Sequence, residues 1–323
     1  MITAFEIVDG RLARDAQTAV ISDRTVWIDL IDPTPEEDAV VEKALGIDIP
    51  TRAEAREIEA SSRLYRENGV PYMTAFVVYN MESVNPDGAT ITFILSGDRL
   101  VTIRYHEPRA FPIYAARAAK GEFECGSAPH ILLGILETVI DRAADRIERS
   151  QDEIEKIARG IFGDRPGRRH YSKQLDDVLR NLGRQGDITA RVEESAFSLE
   201  RLLTFLSVYL QERGNNAEVL ARIKVARRDV RSLSDQMRFL MDRTTFLLDA
   251  TLGAISIEQN KSMKVFSVLA VTLMPPTLIA GIYGMNFKHM PELEWVYGYP
   301  MAVTLMILAG LVPYLVFRWR GWI

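Results

Sequence analysis

Residues 265–287 read VFSVLAVTLMPPTLIAGIYGMNF, and residues 295–317 read WVYGYPMAVTLMILAGLVPYLVF. Both are runs of 23 residues without an Asp, Glu, Lys or Arg. A helix rises about 1.5 Å per residue, and roughly 20 residues cross the hydrocarbon core of a bilayer. Each run is therefore long enough to span. Seven residues, Lys288 to Glu294, separate the two runs, and six follow the second. The expectation is a two-span membrane protein with spans at about 265–285 and 298–317, joined by a loop at about 286–297.

Composition alone hides this, because 26% of the residues are charged and most of the 323 precede the first run. The single cysteine, Cys125, excludes an internal disulfide framework, and no zinc-finger spacing is present. A formal net charge of −5 argues against nucleic acid as a partner. Met1 to Asp9 has neither the basic region nor the apolar core of a signal peptide. Lys261 and Lys264 precede the first span, and Arg318 and Arg320 follow the second. Positive flanks stay in the cytoplasm. Both termini are therefore expected in the cytoplasm of a multi-pass protein of the plasma or inner membrane.

The rest of the chain divides into an α/β domain over 1–128, a helical stalk over 129–262 and a membrane domain over 263–323. In the first part, Ala19 to Ile21 and Val26 to Leu30 are short strand candidates. Thr34 caps a helix with Pro35 at its first position and acids in its first turn, running to Leu45. Thr51 is expected to open another helix, with Glu54 three residues later completing a capping box. Tyr72–Tyr79, Thr90–Leu95 and Arg99–Tyr105 read as strands, with turns at Pro86-Asp87-Gly88 and Gly97-Asp98. A helix begins near Phe111. Helices follow at about 129–160 and 171–212, with breaks near Gly160–Gly167 and Gly214–Asn216. A third starts near Ala217 and has no evident stop before the membrane. Carried through the span to about residue 284, it is roughly 100 Å long and needs partners along its length.

That long helix carries a stripe. Asp249, Ser256, Met263, Ala270 and Thr277 are spaced by seven, and Gly253, Asn260, Ser267 and Met274 form the offset series. Most members are small, polar or Met. Two readings fit: a small-residue packing face, or the lining of a conduit among several copies of the chain. On the second reading Asp249 gives a carboxylate ring, Thr277 a hydroxyl ring, and Met263, Phe266 and Met274 apolar constrictions of the kind that gate by dewetting. Pro275-Pro276 removes two amide donors, predicts a kink or widened ladder, and leaves carbonyls near Val271 and Thr272 free.

Tyr283-Gly284-Met285-Asn286-Phe287 ends the first run, and Met290-Pro291-Glu292-Leu293 follows. This resembles the CorA family of divalent metal ion (magnesium/cobalt) transporters, whose hallmark is Gly-Met-Asn at the outer end of the first of two spans. Met-Pro-Glu-Leu, the basic aromatic tail Arg318-Trp319-Arg320-Gly321-Trp322-Ile323, and the stretches Ile49–Arg52 and Glu57–Leu64 extend the resemblance over the whole chain. It implies a funnel-shaped homopentamer, with a cytoplasmic α/β domain and a stalk helix continuous with the pore helix. It further implies Mg2+ as substrate and as a regulatory ligand that closes the pore from the cytoplasm. Asn286 would bind the incoming hydrated ion, Gly284 and Met285 would shape the mouth, and Asp249, Thr277, Met263, Phe266 and Met274 fall at the family's girdle and gate.

Mg2+ sheds water reluctantly, so a ring of neutral Asn286 amides suits capture of the hydrated ion. Glu292 and Glu294 would concentrate cations at the mouth without selecting among them. The spans hold no His or Cys, the ligands that take bare Zn2+ or Cu+. The expected function is channel-like Mg2+ uptake, with Co2+ and Ni2+ tolerated and no organic cofactor. One alternative is a zinc transporter of the same fold with proton coupling; another is a non-transporting membrane-anchored sensor or scaffold. No catalytic constellation points to an enzyme, and His106, His130, His170 and His289 are scattered in sequence.

Overall fold

A computed structural model describes residues 1–14, 21–56, 63–83, 86–163, 171–214, 217–286 and 290–322, without the side chains of 171–174 and Leu293. Two compact units result: residues 1–165 with 178–248, and residues 166–177 with 249–323.

The first unit opens with a seven-stranded sheet. Its strands are β1 Ile2–Val8, β2 Arg11–Arg14, β3 Thr25–Ile31, β4 Leu64–Glu67, β5 Val70–Tyr79, β6 Asp87–Ser96 and β7 Arg99–Arg104. Their order is β2-β1-β3-β7-β6-β5-β4. Only β3 and β7 run parallel, pairing Trp27 with Leu100 through Ile31 with Arg104; the other neighbours are antiparallel. Alternation along the strands sorts side chains to two faces. Trp27, Met73, Phe93, Leu95 and Leu100 face one core, with helices α2 (Ala110–Ala119) and α3 (Ala128–Phe162) over them. Ile28, Leu30, Ile94, Val101 and Ile103 face a smaller core closed by Val41 of helix α1 (Pro35–Leu45), with Ile47 and Ile49.

The cap at Thr34 forms as the sequence predicts. Glu37 N donates to Thr34 Oγ1 at 3.4 Å, and Thr34 N donates to Glu37 Oε2 at 3.0 Å. The Thr51–Glu54 box also forms, with Thr51 N donating to Glu54 Oε2 at 2.8 Å. It opens a single 3-10 turn, Glu54–Arg56, and residues 57–62 lie outside those described. Ala19 and Val20 lie outside them too. The turn expected at Pro86-Asp87-Gly88 is not one. Asp87 and Gly88 pair with Tyr79 and Val78 inside the β5–β6 ladder. Gly88 is there for space: a Cβ would stand 1.9 Å from Phe76 Cζ, so the Phe76 ring lies across the bare glycine. Gly97-Asp98 does make the two-residue hairpin, with Gly97 at φ 62° and Ser96 paired to Arg99.

One polar cluster is sealed into the sheet. Trp27 Nε1 donates to Thr102 Oγ1 at 3.0 Å, and Thr102 Oγ1 in turn donates to Asp29 Oδ1 at 2.7 Å. Arg104 grips the same carboxylate through Nε at 3.0 Å and Nη2 at 2.7 Å. Both charged side chains are 5% exposed. Every partner is matched, which is what lets a charge pair persist in a core.

Helix α4 spans Tyr171–Arg213 and α5 spans Ala217–Tyr283. Helix α3 passes through Gly160 and stops at Phe162, so the expected break there falls two residues later. Within the first unit α3, α4 and α5 share the larger core through Ile147, Leu182, Leu199, Leu206, Val230 and Leu240. Arg222 on α5 makes a two-point pair with Glu137 on α3, with its shorter contact at 2.7 Å, and Arg231 pairs with Glu200 on α4 at 2.6 Å. Helix α5 continues without a stop past residue 248 and through Pro275-Pro276. Helix α6, Gly298–Trp319, is the second apolar run.

Candidate functional site

The second unit holds every residue singled out from the sequence as a pore, gate or mouth position. Helices α5 and α6 are both long and apolar enough to cross a membrane. In the most apolar 18-residue window of each, only 6% of the residues are buried. Surface of that kind, uncovered by the chain itself, is stable against lipid or against further copies of the chain and not against water.

Helix α6 covers one face of α5. Val268 is 6% exposed and Ala302 on α6 is 8% exposed. Pro276 lacks the amide hydrogen that would bond the Thr272 carbonyl four residues back. Against that carbonyl lies Gly310 of α6, where an added Cβ would sit 3.3 Å from Thr272 O and 3.3 Å from Pro276 Cγ. The carbonyl freed by the prolines thus faces α6, and this role of Gly310 is not visible in the sequence. The packing face of α5 runs along Val268, Thr272 and Pro276.

The stripe lies elsewhere on the helix. Asp249, Gly253, Ser256, Asn260, Met263, Ser267, Ala270, Met274 and Thr277 are all exposed, with Met263 at 65% and Met274 at 69%, and Phe266 beside them at 71%. Thr277 Oγ1 donates to the Leu273 carbonyl at 2.8 Å, and Ser267 Oγ donates to the Met263 carbonyl at 2.8 Å. Each hydroxyl hydrogen is committed to its own helix, so the oxygen keeps its lone pairs outward. Such an oxygen accepts hydrogen bonds from the water shell of a cation and presents no hydrogen to it.

At the end of α5 the chain unwinds in steps. Gly284 N bonds the Ala280 carbonyl at 2.9 Å and Met285 N the Ile282 carbonyl at 3.2 Å. Asn286 follows, outside the helix and exposed. Phe287, Lys288 and His289 lie outside the described residues. Met290 leads into the 3-10 turn Pro291–Leu293, with Glu292 and Glu294 exposed. Trp295 and Tyr297 meet edge to face at 6.0 Å. The loop closes onto α6 at Gly298, whose amide bonds the Trp295 carbonyl at 2.9 Å and whose missing Cβ would stand 2.1 Å from the Glu292 carbonyl oxygen. Gly298 belongs to no motif; its one signal in the sequence is a lone glycine between Tyr297 and Tyr299.

A single chain does not bring these groups together. Asp249 and the end of α5 at Tyr283 are separated by a rise of about 51 Å, with Asn286 beyond it, and the stripe residues between follow one another along one edge of the helix. In one chain they are a line of ligands without an enclosed site.

The chain is similar to known proteins along its whole length. Residues 22–319 match the family model described as CorA-like Mg2+ transporter protein. The magnesium transport protein CorA of Escherichia coli (strain K12) is 35% identical over 327 aligned residues, covering 100% of both chains. Its counterpart from Salmonella typhimurium (strain LT2) is equally similar, again over 100% of both. Among solved structures, the complete CorA magnesium transporter of Methanocaldococcus jannaschii superposes with a TM-score of 0.78 at 18% identity, covering 100% of this chain and 99% of that one. Full-length CmaX gives a TM-score of 0.66 at 14% identity, with 98% and 96% covered.

Proposed function

The chain belongs to the CorA-like Mg2+ transporter family, and on that premise we propose that it is a channel-like transporter that passes hydrated Mg2+ into the cell down the electrochemical gradient. It is a transporter and not an enzyme. The observation that carries the reading is the division of α5 into two faces. Helix α6 covers the Val268–Thr272–Pro276 face, and the polar stripe stays open with its hydroxyl lone pairs outward. An open polar stripe in a membrane helix requires water or another protein surface beside it. Five copies of the chain around an axis supply both, so the working form is a homopentamer in the bilayer, with residues 1–128 and 129–262 in the cytoplasm as α/β domain and stalk and with both termini on that side.

In this assembly the exposed Asn286 side chains ring the outer mouth. Their amide oxygens accept hydrogen bonds from first-shell water of the ion, which avoids the high cost of stripping Mg2+. Gly284 and Met285 shape that mouth, and Glu292 and Glu294 raise the local cation concentration. Thr277 gives a ring of acceptor oxygens inside the span. Met274, Phe266 and Met263 narrow the path with apolar side chains that exclude water when close. Asp249 receives the ion beyond them. A negative-inside potential drives the flow with about 4.6 kcal/mol per 100 mV for two charges. Binding of Mg2+ between cytoplasmic domains closes the path when the cell is replete.

Uptake into proteoliposomes of purified protein tests this reading. Mg2+, Co2+ and Zn2+ are offered separately, with an imposed potential and with or without a pH gradient. Potential-driven Mg2+ uptake indifferent to the pH gradient is expected. Zn2+ movement that follows protons, with little Mg2+ flux, replaces the substrate and the coupling. Absence of any cation flux makes the chain a sensor or scaffold.

A further inference from the structure

In the first unit, Glu124, His130 and Glu218 converge at the start of two helices. One ligand atom from each lies within 4.8 Å of those from the other two. Glu124 precedes α3, His130 sits in the first turn of α3, and Glu218 in the first turn of α5. His130 is half-buried and the two glutamates are exposed.

A helix N-terminus favours a nearby carboxylate, which accounts for Glu218 and places Glu124 reasonably. It does not account for an imidazole set between them, because the same dipole disfavours a cationic histidine. Two further contacts bear on this. Ser127 Oγ lies 2.8 Å from His130 Nδ1, which fixes the ring and leaves Nε2 for another partner, as the outer-shell partner of a metal-ligating histidine does. Arg222, one turn along α5 from Glu218, is committed to Glu137 at 2.7 Å. Among the described residues no Lys or Arg pairs with Glu124 or Glu218, and the imidazole makes no ion pair with either. The three groups surround a shared point at which the Glu124 carboxylate holds the Glu218 carboxyl above its ordinary range, and His130 and Arg222 offset this only in part.

We propose that Glu124, His130 and Glu218 bind a first-row transition-metal dication, Zn2+, Co2+ or Ni2+, at a site separate from the Mg2+ path. One imidazole and two carboxylates, with remaining positions open to water, suit these ions. Mg2+ prefers oxygen ligands and keeps its water, so the imidazole discriminates against the transported ion. An occupied site ties the segment ahead of α3 to the first turn of α5. The site is contained within one chain.

The test uses purified full-length protein in detergent, titrated with Co2+ in a large excess of Mg2+ and followed by visible absorption of bound Co2+ and by X-ray absorption. The wild type is expected to take up one Co2+ per chain, with a nitrogen ligand in its coordination shell. Zn2+ is expected to displace it and Mg2+ is not. His130→Ala and Glu218→Gln are expected to weaken Co2+ binding about tenfold or more, while Glu153→Gln leaves it unchanged. Ser127→Ala provides a second probe that removes only the orienting contact and is expected to weaken binding less. His130→Gln serves if the alanine variant does not fold. Equal Co2+ affinity in wild type and the His130 variants, an all-oxygen coordination shell, or displacement by Mg2+ as effective as by Zn2+ overturns the proposal.

Discussion

The two compact units finish their folding differently. Residues 1–165 with 178–248 enclose a core of their own: Trp27, Phe93, Phe111 and Tyr114 are nearly inaccessible, and the buried Asp29–Arg104 pair is matched donor for acceptor. Residues 249–323 leave most of their apolar surface outside; among the described residues α6 covers the Val268–Thr272–Pro276 face of α5, and Leu175 lines a cavity with Met263 and Phe266. In the first unit the chemistry is closed and serves stability. In the second it is open, and on the proposed reading it is completed by the bilayer and by four further copies. The same helix, α5, belongs to both, and its sequence changes character accordingly. Val219, Ile223, Val230, Met237 and Leu240 are buried in the first unit, and Met263, Ser267, Met274 and Thr277 stand free in the second.

Changes in the closed unit are therefore expected to move stability and leave transport per folded molecule intact, and changes in the open unit to do more to transport. The largest expected effect is Asp29→Ala. It leaves Arg104 buried without its counter-charge and strands the Thr102 hydroxyl, at a cost of about 3–5 kcal/mol. A large drop in the denaturant midpoint with unchanged Mg2+ flux in the folded fraction supports the division; a flux defect at full folding breaks it. Next is Gly310→Val. A side chain forced between α6 and the Thr272 carbonyl costs about 1–3 kcal/mol by overpacking, and by shifting α5 it slows flux as well. An unaffected flux would mean that the face covered by α6 does not position the stripe.

A smaller effect is pH-dependent. Burial, and then the neighbouring Arg104, push the His106 imidazole down to about 4. Its ring lies 4.5 Å from that of Tyr79, and neither ring nitrogen has a hydrogen-bond partner. The unfolded chain takes up this proton below about pH 6.5 and the folded chain only below about 4. Stability contributed by neutral His106 is thus present above pH 6.5 and is lost as pH falls toward 4. Unfolding midpoints measured across that window are expected to fall with pH, and His106→Gln is expected to flatten the slope. The smallest is Thr34→Ala, which removes the α1 cap and costs about 1 kcal/mol, read in the unfolding midpoint with no change in transport.

Much of this was legible in the sequence. The two uncharged runs announced the spans, and short runs of apolar and β-branched residues, with turn residues between some of them, gave β3, β5, β6 and β7. Strand β1 carries in its sequence only the lack of a signal peptide's features, and β4, Leu-Tyr-Arg-Glu, is a half-exposed edge strand whose polar residues carry little strand signal. Gly88 misled because a glycine after Pro-Asp looks like a turn unless the ring of Phe76 above it is known. For the candidate site, the seven-residue spacing marked the stripe, but every face of a membrane helix is apolar or small, so periodicity does not say which face a neighbour covers. Gly310 and the Thr272 carbonyl answer that through a contact between residues 38 positions apart, which leaves no local trace.

The most direct test is potential-driven Mg2+ uptake by proteoliposomes containing wild-type protein or Asn286→Ala, matched for the amount of folded, assembled protein. Asn286 is exposed beyond the end of α5 and bears no part of either core, so its removal leaves the fold standing. The variant is expected to assemble normally and to lose Mg2+ uptake almost entirely. Uptake at the wild-type rate in Asn286→Ala would contradict it.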